Sequence, residues 1–228
     1  MSNTDKRNIR RAGFYWNKDN VPYPSVTEIL KVIDNPGLRY WYGQQIYLAV
    51  SKDPTINEKE ALASPYKVSE KAADRGTAVH NAIESYGFGK KALDFVDELY
   101  QPYVDAFKKW VKDTNPKFIE SEKTIFNHKH GYAGTLDAII EIGGTRKIVD
   151  FKTNKDGNIY ESAHIQTSAY IETEDDIDEG LIVCLAATGE YNQQSVDKNF
   201  EVFLAAKKIW EYKNKNKLKK VGYTNYSI

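Results

Sequence analysis

The sequence predicts a mixed α/β fold in which one β-sheet is flanked by helices and preceded by a mainly helical region. Three observations lead there. Helix-period apolar stripes dominate up to about residue 112, strand-like runs follow over 118–126, 135–142 and 145–153, and a helical stretch at 160–172 leads into an apolar strand at 181–187. A chain of 228 residues can bury a substantial core, and the expectation is one domain over 1–228. Its parts are a helical portion at about 20–112, a sheet core at about 117–190, and a C-terminal helix with a basic tail at about 198–228. No internal repeat is present.

Ser25, with Glu28 three residues on, forms a capping box for a helix whose stripe is Val26, Ile29, Leu30 and Ile33, and Asn35-Pro36-Gly37 ends it. Residues 38–50, with Trp41 and Tyr42, predict a second helix, and 51–65 reads as a polar connection. From Ala72 to Tyr86 two stripes run side by side, Val79 with Ile83 and His80 with Glu84, so a helix there can bury the first and present the second. From about Leu93 to Val111 the residues Phe95, Val96, Leu99, Tyr103, Phe107 and Trp110 predict helix, with Pro102 starting a new segment or kinking the old one. Phe118 to Phe126 then alternates as a strand does. The final helix, from about Lys198, carries Phe200, Phe203, Leu204 and Trp210.

The turn Gly143-Gly144 is the most informative feature, because a two-residue hairpin loop without Cβ atoms sets the register of everything that flanks it. If Ile142 pairs with Thr145, then Glu141 faces Arg146, Ile139 faces Ile148 and Asp137 faces Asp150. Side chains alternate, so Lys152 joins Asp150 on one face, expected to be polar. Leu136, Ala138, Ile140, Ile142, Val149 and Phe151 fall on the other, expected to be core. Carboxylates opposite one another in an antiparallel pair repel. A hard divalent cation, Mg²⁺ or Mn²⁺, would neutralise them, and a lysine beside it can orient or deprotonate a water or offset charge on a phosphate. The plainer reading is an exposed sheet face on which Lys152 only pairs with Asp150.

Lys and Arg together number 32 and so do Asp and Glu, so a globally basic nucleic-acid binder is excluded. The charges are nevertheless uneven. Lys6, Arg7, Arg10 and Arg11 cluster near the start, Lys207, Lys208, Lys213, Lys215, Lys217, Lys219 and Lys220 near the end, and Glu172 to Glu179 is acidic. The basic clusters can line a path for a phosphate backbone or be a solvated tail and helix face. The one cysteine, Cys184, lies in an apolar run and reads as a buried strand residue. It leaves no intrachain disulfide and no four-cysteine iron–sulfur cluster. No run approaches a membrane span or the apolar core of a secretory signal, and the aromatic run Phe14-Tyr15-Trp16 fits a transit peptide poorly, so a cytoplasmic protein is expected.

Several ordered motifs carry a family resemblance. Pro24-Ser-Val-Thr-Glu-Ile-Leu30, Arg75-Gly-Thr-Ala-Val-His80-Asn-Ala-Ile-Glu84, Gly134-Thr-Leu-Asp137, Asp150-Phe-Lys152-Thr153 and Gln166-Thr-Ser-Ala-Tyr170 follow one another. This series resembles the PD-(D/E)XK nuclease superfamily in its RecB-like exonuclease branch, phage members included, over about residues 20–190.

The resemblance implies a restriction-endonuclease-like core and a Mg²⁺- or Mn²⁺-dependent deoxyribonuclease. It implies metal ligation by Asp137, Asp150, the Phe151 backbone carbonyl, His80 and Glu122, with Glu120 a competitor for the last position. Lys152 is then the residue that aims the water, and Asp137, Asp150 and Lys152 form the catalytic set. Gln166 and Tyr170 form a QxxxY pair, one helical turn apart, for contact with DNA, and Arg75 and Thr153 are further DNA-contact candidates. Taken alone, His80 would read as an ordinary core or surface histidine. As a ligand, its imidazole would shift an oxygen site toward Mn²⁺. The implied substrate is DNA cut from single-stranded ends to leave 5′-phosphates, in phage or bacterial recombination, repair or processing, with a recombination or replication protein as partner and no membrane. An endonuclease using the same residues and a non-catalytic DNA-binding protein are the alternatives.

Overall fold

The computed structural model describes residues 9–87, 89, 97–177 and 179–224. It opens with a small antiparallel sheet of three strands, β1 (Ile9–Arg11), β2 (Phe14–Trp16) and β3 (Pro22–Pro24). Arg11 pairs with Phe14 around a two-residue turn in which Ala12 (φ 51°) and Gly13 (φ 84°) are both left-handed, the geometry that matches strand twist. The sequence reading starts the helical portion near residue 20 and gives no strand here, because each strand has only three residues.

Helix α1 (Val26–Ile29) runs into a 3₁₀ turn, Leu30–Val32. Half of the predicted capping box forms, since Ser25 Oγ accepts from the Glu28 N–H at 3.1 Å. The other half does not: the Ser25 N–H donates to Gly13 O, and the Glu28 carboxylate receives Lys31 at 2.7 Å and Lys217 at 3.0 Å. Asn35 then caps α2 (Pro36–Lys52), so the signal that stops one helix starts the next.

Helix α3 spans Glu58–Gly87, which corrects the reading of 51–65 as connection. Two side chains explain the difference. Asn57 Oδ1 caps the helix by accepting from the Glu60 N–H at 2.9 Å. Pro65 cannot donate to the carbonyl of Ala61, but the Ser64 hydroxyl does so instead, at 2.7 Å. A 3₁₀ turn, Glu98–Tyr100, leads into α4 (Gln101–Thr114) with Pro102 in its first turn, as expected of a new segment. Leu99 is exposed, and Phe95 and Val96 lie outside the described residues.

The main sheet has five strands in chain order, β4 (Lys117–Asn127), β5 (Tyr132–Ile142), β6 (Thr145–Asn154), β7 (Glu179–Ala186) and β8 (Tyr191–Val196). All neighbours are antiparallel except β6 and β7, which are parallel and joined through α5 (Glu161–Ile171). Helices α6 (Phe200–Lys213) and α7 (Lys215–Val221) close the chain, so the expected tail is largely helix. Strand β8 was not anticipated. Its Asn192, Gln193, Gln194 and Ser195 are exposed, the pattern of an edge strand whose hydrophobic signal is weak.

Two apolar clusters sandwich the sheet. One joins Leu136, Ile139, Ile148 and Ile182 to residues of α1, α5, α6 and α7, and the other joins Ala138, Ile140, Val149 and Phe151 to α3 and α4. The expectation of one polar sheet face is therefore wrong around Ile139 and Ile148: helices cover both faces, as they do where a parallel pair forms the centre. Leu136 and Ala138, expected on one face, fall in different clusters, so the alternation slips by one residue at Asp137.

Candidate active site

The turn chemistry of Gly143 (φ 61°) and Gly144 (φ 83°) sets the predicted register, with Ile142 opposite Thr145, Glu141 opposite Arg146 and Ile139 opposite Ile148. The ladder runs to Ala138 and Val149, one step short of Asp137 and Asp150. There the two carboxylates separate into different surroundings. Asp137 turns one oxygen inward, where Oδ2 accepts the Phe151 N–H at 2.7 Å, and the other outward, with Oδ1 3.5 Å from His80 Nδ1.

On its other side Asp137 lies between the pairs Ser121–Ala138 and Lys123–Leu136, in the position facing Glu122. Glu122 has φ 50°, a left-handed conformation that a residue with a Cβ rarely adopts. Its Oε1 is 4.0 Å from His80 Nδ1. Ligand atoms of His80, Glu122 and Asp137 all lie within 4.8 Å of one another, one each from α3, β4 and β5. Glu120, the competitor, instead pairs with Lys123 at 3.4 Å. The kink at Glu122 breaks the strand alternation that would have placed both acids alike. Burial raises the Glu122 carboxyl to about 7, and the neighbouring Asp137 charge adds to the rise.

Behind this outer group lies a buried one. Asp150 is 1% exposed, and Lys152 Nζ donates to its Oδ1 at 2.9 Å. Lys152 also donates to Gln166 Oε1 at 3.3 Å, and Gln166 Nε2 donates to Tyr170 Oη at 3.0 Å. The QxxxY pair is thus one hydrogen-bonded unit on α5. Gly134 makes room for it, because a Cβ there would stand 2.6 Å from the Tyr170 ring. Burial raises the Asp150 carboxyl, with Asp137 adding to the effect and Lys152 opposing it. For Lys152 burial works to lower the pKa, but Asp150 and Asp137 outweigh it and the ammonium is held. Asp150 Oδ2 is buried too and lies 2.8 Å from Nζ, so the ion pair engages both carboxylate oxygens. Asp150 is not among the residues whose ligand atoms converge, since Lys152 compensates its charge; His80, Glu122 and Asp137 are the donor set that fits a hard cation.

The outer group opens on a cavity of about 450 Å³ whose wall includes His80, Glu84, Glu122, Asp137, Gln166 and Tyr170. Arg75 and Thr153 are not on that wall. They bind each other, Arg75 Nη2 donating to Thr153 O at 3.2 Å, while the guanidinium lies 5.0 Å from the centre of the Tyr103 ring. This contact ties α3 to the end of β6. The sequence reading missed Tyr15 and Thr135, which line the cavity and share a hydrogen bond at 3.0 Å. The available signal was the alternation of Arg10 to Trp16 around Ala12-Gly13. Of the basic clusters, Arg10 reaches the cavity, while Lys6 and Arg7 lie outside the described residues. Lys207 is fully buried against Glu211, which removes it from any phosphate path. Cys184 is buried, as expected.

No family model and no curated protein matches this chain. Among solved structures, an alkaline exonuclease (LHK-Exo) from Laribacter hongkongensis superposes with a TM-score of 0.44 at 12% identity, covering 88% of this chain and 93% of that one. LHK-Exo in complex with dAMP gives 0.41 at 10%, with the same coverage. A structure of SSO0001 gives 0.34 at 14%, with 50% of this chain matched to 55% of that protein's length. Superpositions this loose do not carry an activity from one chain to another. No helix among the described residues is long and apolar enough to cross a membrane.

Proposed function

We propose that this protein is a metal-dependent deoxyribonuclease that hydrolyses phosphodiester bonds from DNA ends. The observation that carries the reading is the meeting of His80, Glu122 and Asp137 within 4.8 Å, next to a buried carboxylate and lysine joined at 2.9 Å. Three elements converge on one point with two carboxylates and an imidazole, a donor set suited to Mg²⁺ and, through the imidazole, to Mn²⁺. The resemblance of the motifs to RecB-like nucleases supports the same roles.

His80, Glu122 and Asp137 would hold the cation, with Asp150 alongside, and it would supply Lewis-acid polarisation of the phosphate and a water of lowered pKa. The chain does the rest. Lys152, whose ammonium Asp150 and Asp137 favour in the metal-free chain, suits orienting the attacking water or offsetting charge on a phosphate. Its contacts with Asp150 and Gln166 fix the ammonium where an attacking water or a phosphate oxygen would meet it. Attack on phosphorus breaks the P–O3′ bond and leaves a 3′-hydroxyl and a 5′-phosphate. Gln166 and Tyr170, already linked, present an amide and a phenol to the phosphate backbone.

The test incubates end-labelled linear and closed circular single-stranded DNA with Mg²⁺, Mn²⁺ or EDTA, beside Lys152→Ala. Loss of the linear form alone, metal-dependent and absent in the variant, is the expected result. Cutting of the circle converts the reading to an endonuclease, and no cleavage in either metal ends it.

A further inference from the structure

A second cavity, of about 570 Å³, adjoins the first, and Thr27 and Gln166 stand in the wall of both. The two differ in chemistry. The first is walled by acids, His80 and Arg10, and the second by Leu30, Ile33, Pro36, Leu38 and Tyr160. Leu38 (48%), Ile33 (38%) and Tyr160 (60%) leave much of that apolar surface open to solvent. The charged groups of this wall are unsuited to phosphate. Its one cation among the described residues, Lys31, is paired with Glu28 at 2.7 Å, and Asp34 and Glu161 are acids. What fits is a flat, uncharged, apolar-faced group attached to something held next door.

We propose that this cavity receives the nucleobase next to the scissile phosphate, with Tyr160 as its stacking platform, so that unpaired DNA ends are preferred. The inference rests on the nuclease reading of the first cavity. A base in duplex cannot enter without leaving its partner, whereas a single-stranded one can, and aromatic stacking accepts any base because every base has a π-face. Tyr160 suits the role. It precedes the first turn of α5, makes no capping hydrogen bond with its side chain, and is joined through that helix to Gln166. The base would then lie on one side of Gln166 and the phosphate on the other.

The test compares wild type, Tyr160→Ala and Tyr160→Phe on short single-stranded oligonucleotides, on the same oligonucleotides with one abasic position placed near the end, and on blunt duplex. Cleavage is read in Mn²⁺, and binding is read separately by fluorescence anisotropy in Ca²⁺. Tyr160→Ala should weaken the single strand by about 5- to 100-fold in kcat/KM and in binding, the range of one lost stack. It should act less than twofold on duplex and on the abasic strand, and Tyr160→Phe should restore the base-bearing strand. Equal losses on base-bearing and abasic DNA overturn the proposal, as does no loss at all. If the wild type cleaves nothing in Mn²⁺, the nuclease reading fails, while the anisotropy comparison still decides whether a base is bound through Tyr160. Unchanged thermal midpoints exclude misfolding.

Discussion

The two halves of the candidate site hold their charges by opposite means. In the inner half, Asp150 is compensated by Lys152 within the chain, and the pair is fixed to α5 through Gln166 and Tyr170. In the outer half, Glu122 and Asp137 face each other across neighbouring strands with His80 beside both, and one of the two acids sits in a left-handed conformation. The inner half is complete by itself, whereas the outer half has two acids and no fixed cation among the described residues. Like charges brought together at a backbone cost are what a folded chain retains when something else binds there.

Removing the lysine is the harshest way to break this contrast. Lys152→Ala leaves the Asp150 carboxylate buried without its partner, and should lower stability by about 2–3 kcal/mol in urea unfolding while abolishing cleavage. A loss below about 0.5 kcal/mol would show that Asp150 is not held as the inner half requires. Asp137→Asn should act in the opposite sense. It keeps an acceptor for the Phe151 N–H and relieves repulsion, so metal-free stability should hold or rise. The stabilisation of the wild type by Mn²⁺, about 2.7 kcal/mol at a hundredfold excess over Kd, should disappear. An unchanged Mn²⁺ effect on the melting temperature would move the metal elsewhere.

Gly134→Ala probes the seam between the halves. The added Cβ would meet the Tyr170 ring at 2.6 Å, and the expected cost is about 1–3 kcal/mol, with slower cleavage as Gln166 is displaced. Wild-type stability and turnover in that variant would show that the seam can yield. The smallest effect is a pH slope. Glu122, raised to about 7, must lose its proton to bind a cation. Mn²⁺ affinity, followed by calorimetry, should therefore tighten as pH rises through about 7, by up to tenfold per unit below it, and level off above. Glu122→Gln should weaken binding and flatten this part of the profile.

Much of the inner half was legible in the sequence. A Gly-Gly turn sets a register that predicted every ladder pair from Thr145 to Val149, and strand alternation put Lys152 on the face of Asp150. The i, i+4 spacing of Gln166 and Tyr170 likewise put them on one helix face, where they bond to each other. The outer half was legible in residue type but not in geometry. His80, Glu122 and Asp137 were all candidates, yet the expected pair was Asp137 with Asp150, because no local signal announces the left-handed kink that turns Glu122 toward Asp137. The same slip in alternation hides which cluster Leu136 joins. The arrangement of β1 to β3 was obscured by brevity, and that of β8 by its polar, edge-strand composition. In the long helix α3, a proline inside the helical run read as a boundary, since the neighbouring serine's repair of Ala61 O is visible only in three dimensions.

One contact also sets a schedule. Lys217 reaches back to Glu28 at 3.0 Å across 189 positions, and lies 5.1 Å from the centre of the Phe14 ring, so α7 pins the short helix that contributes Thr27 to both cavities. During synthesis at about 5–20 residues per second, roughly 10 to 40 s separate the emergence of the two partners. Through that interval the residues that would hold metal and water already exist in the growing chain, while the wall that carries Thr27 lacks this contact. The finished wall shared by the two cavities therefore waits for a contact that closes only once α7 has been made.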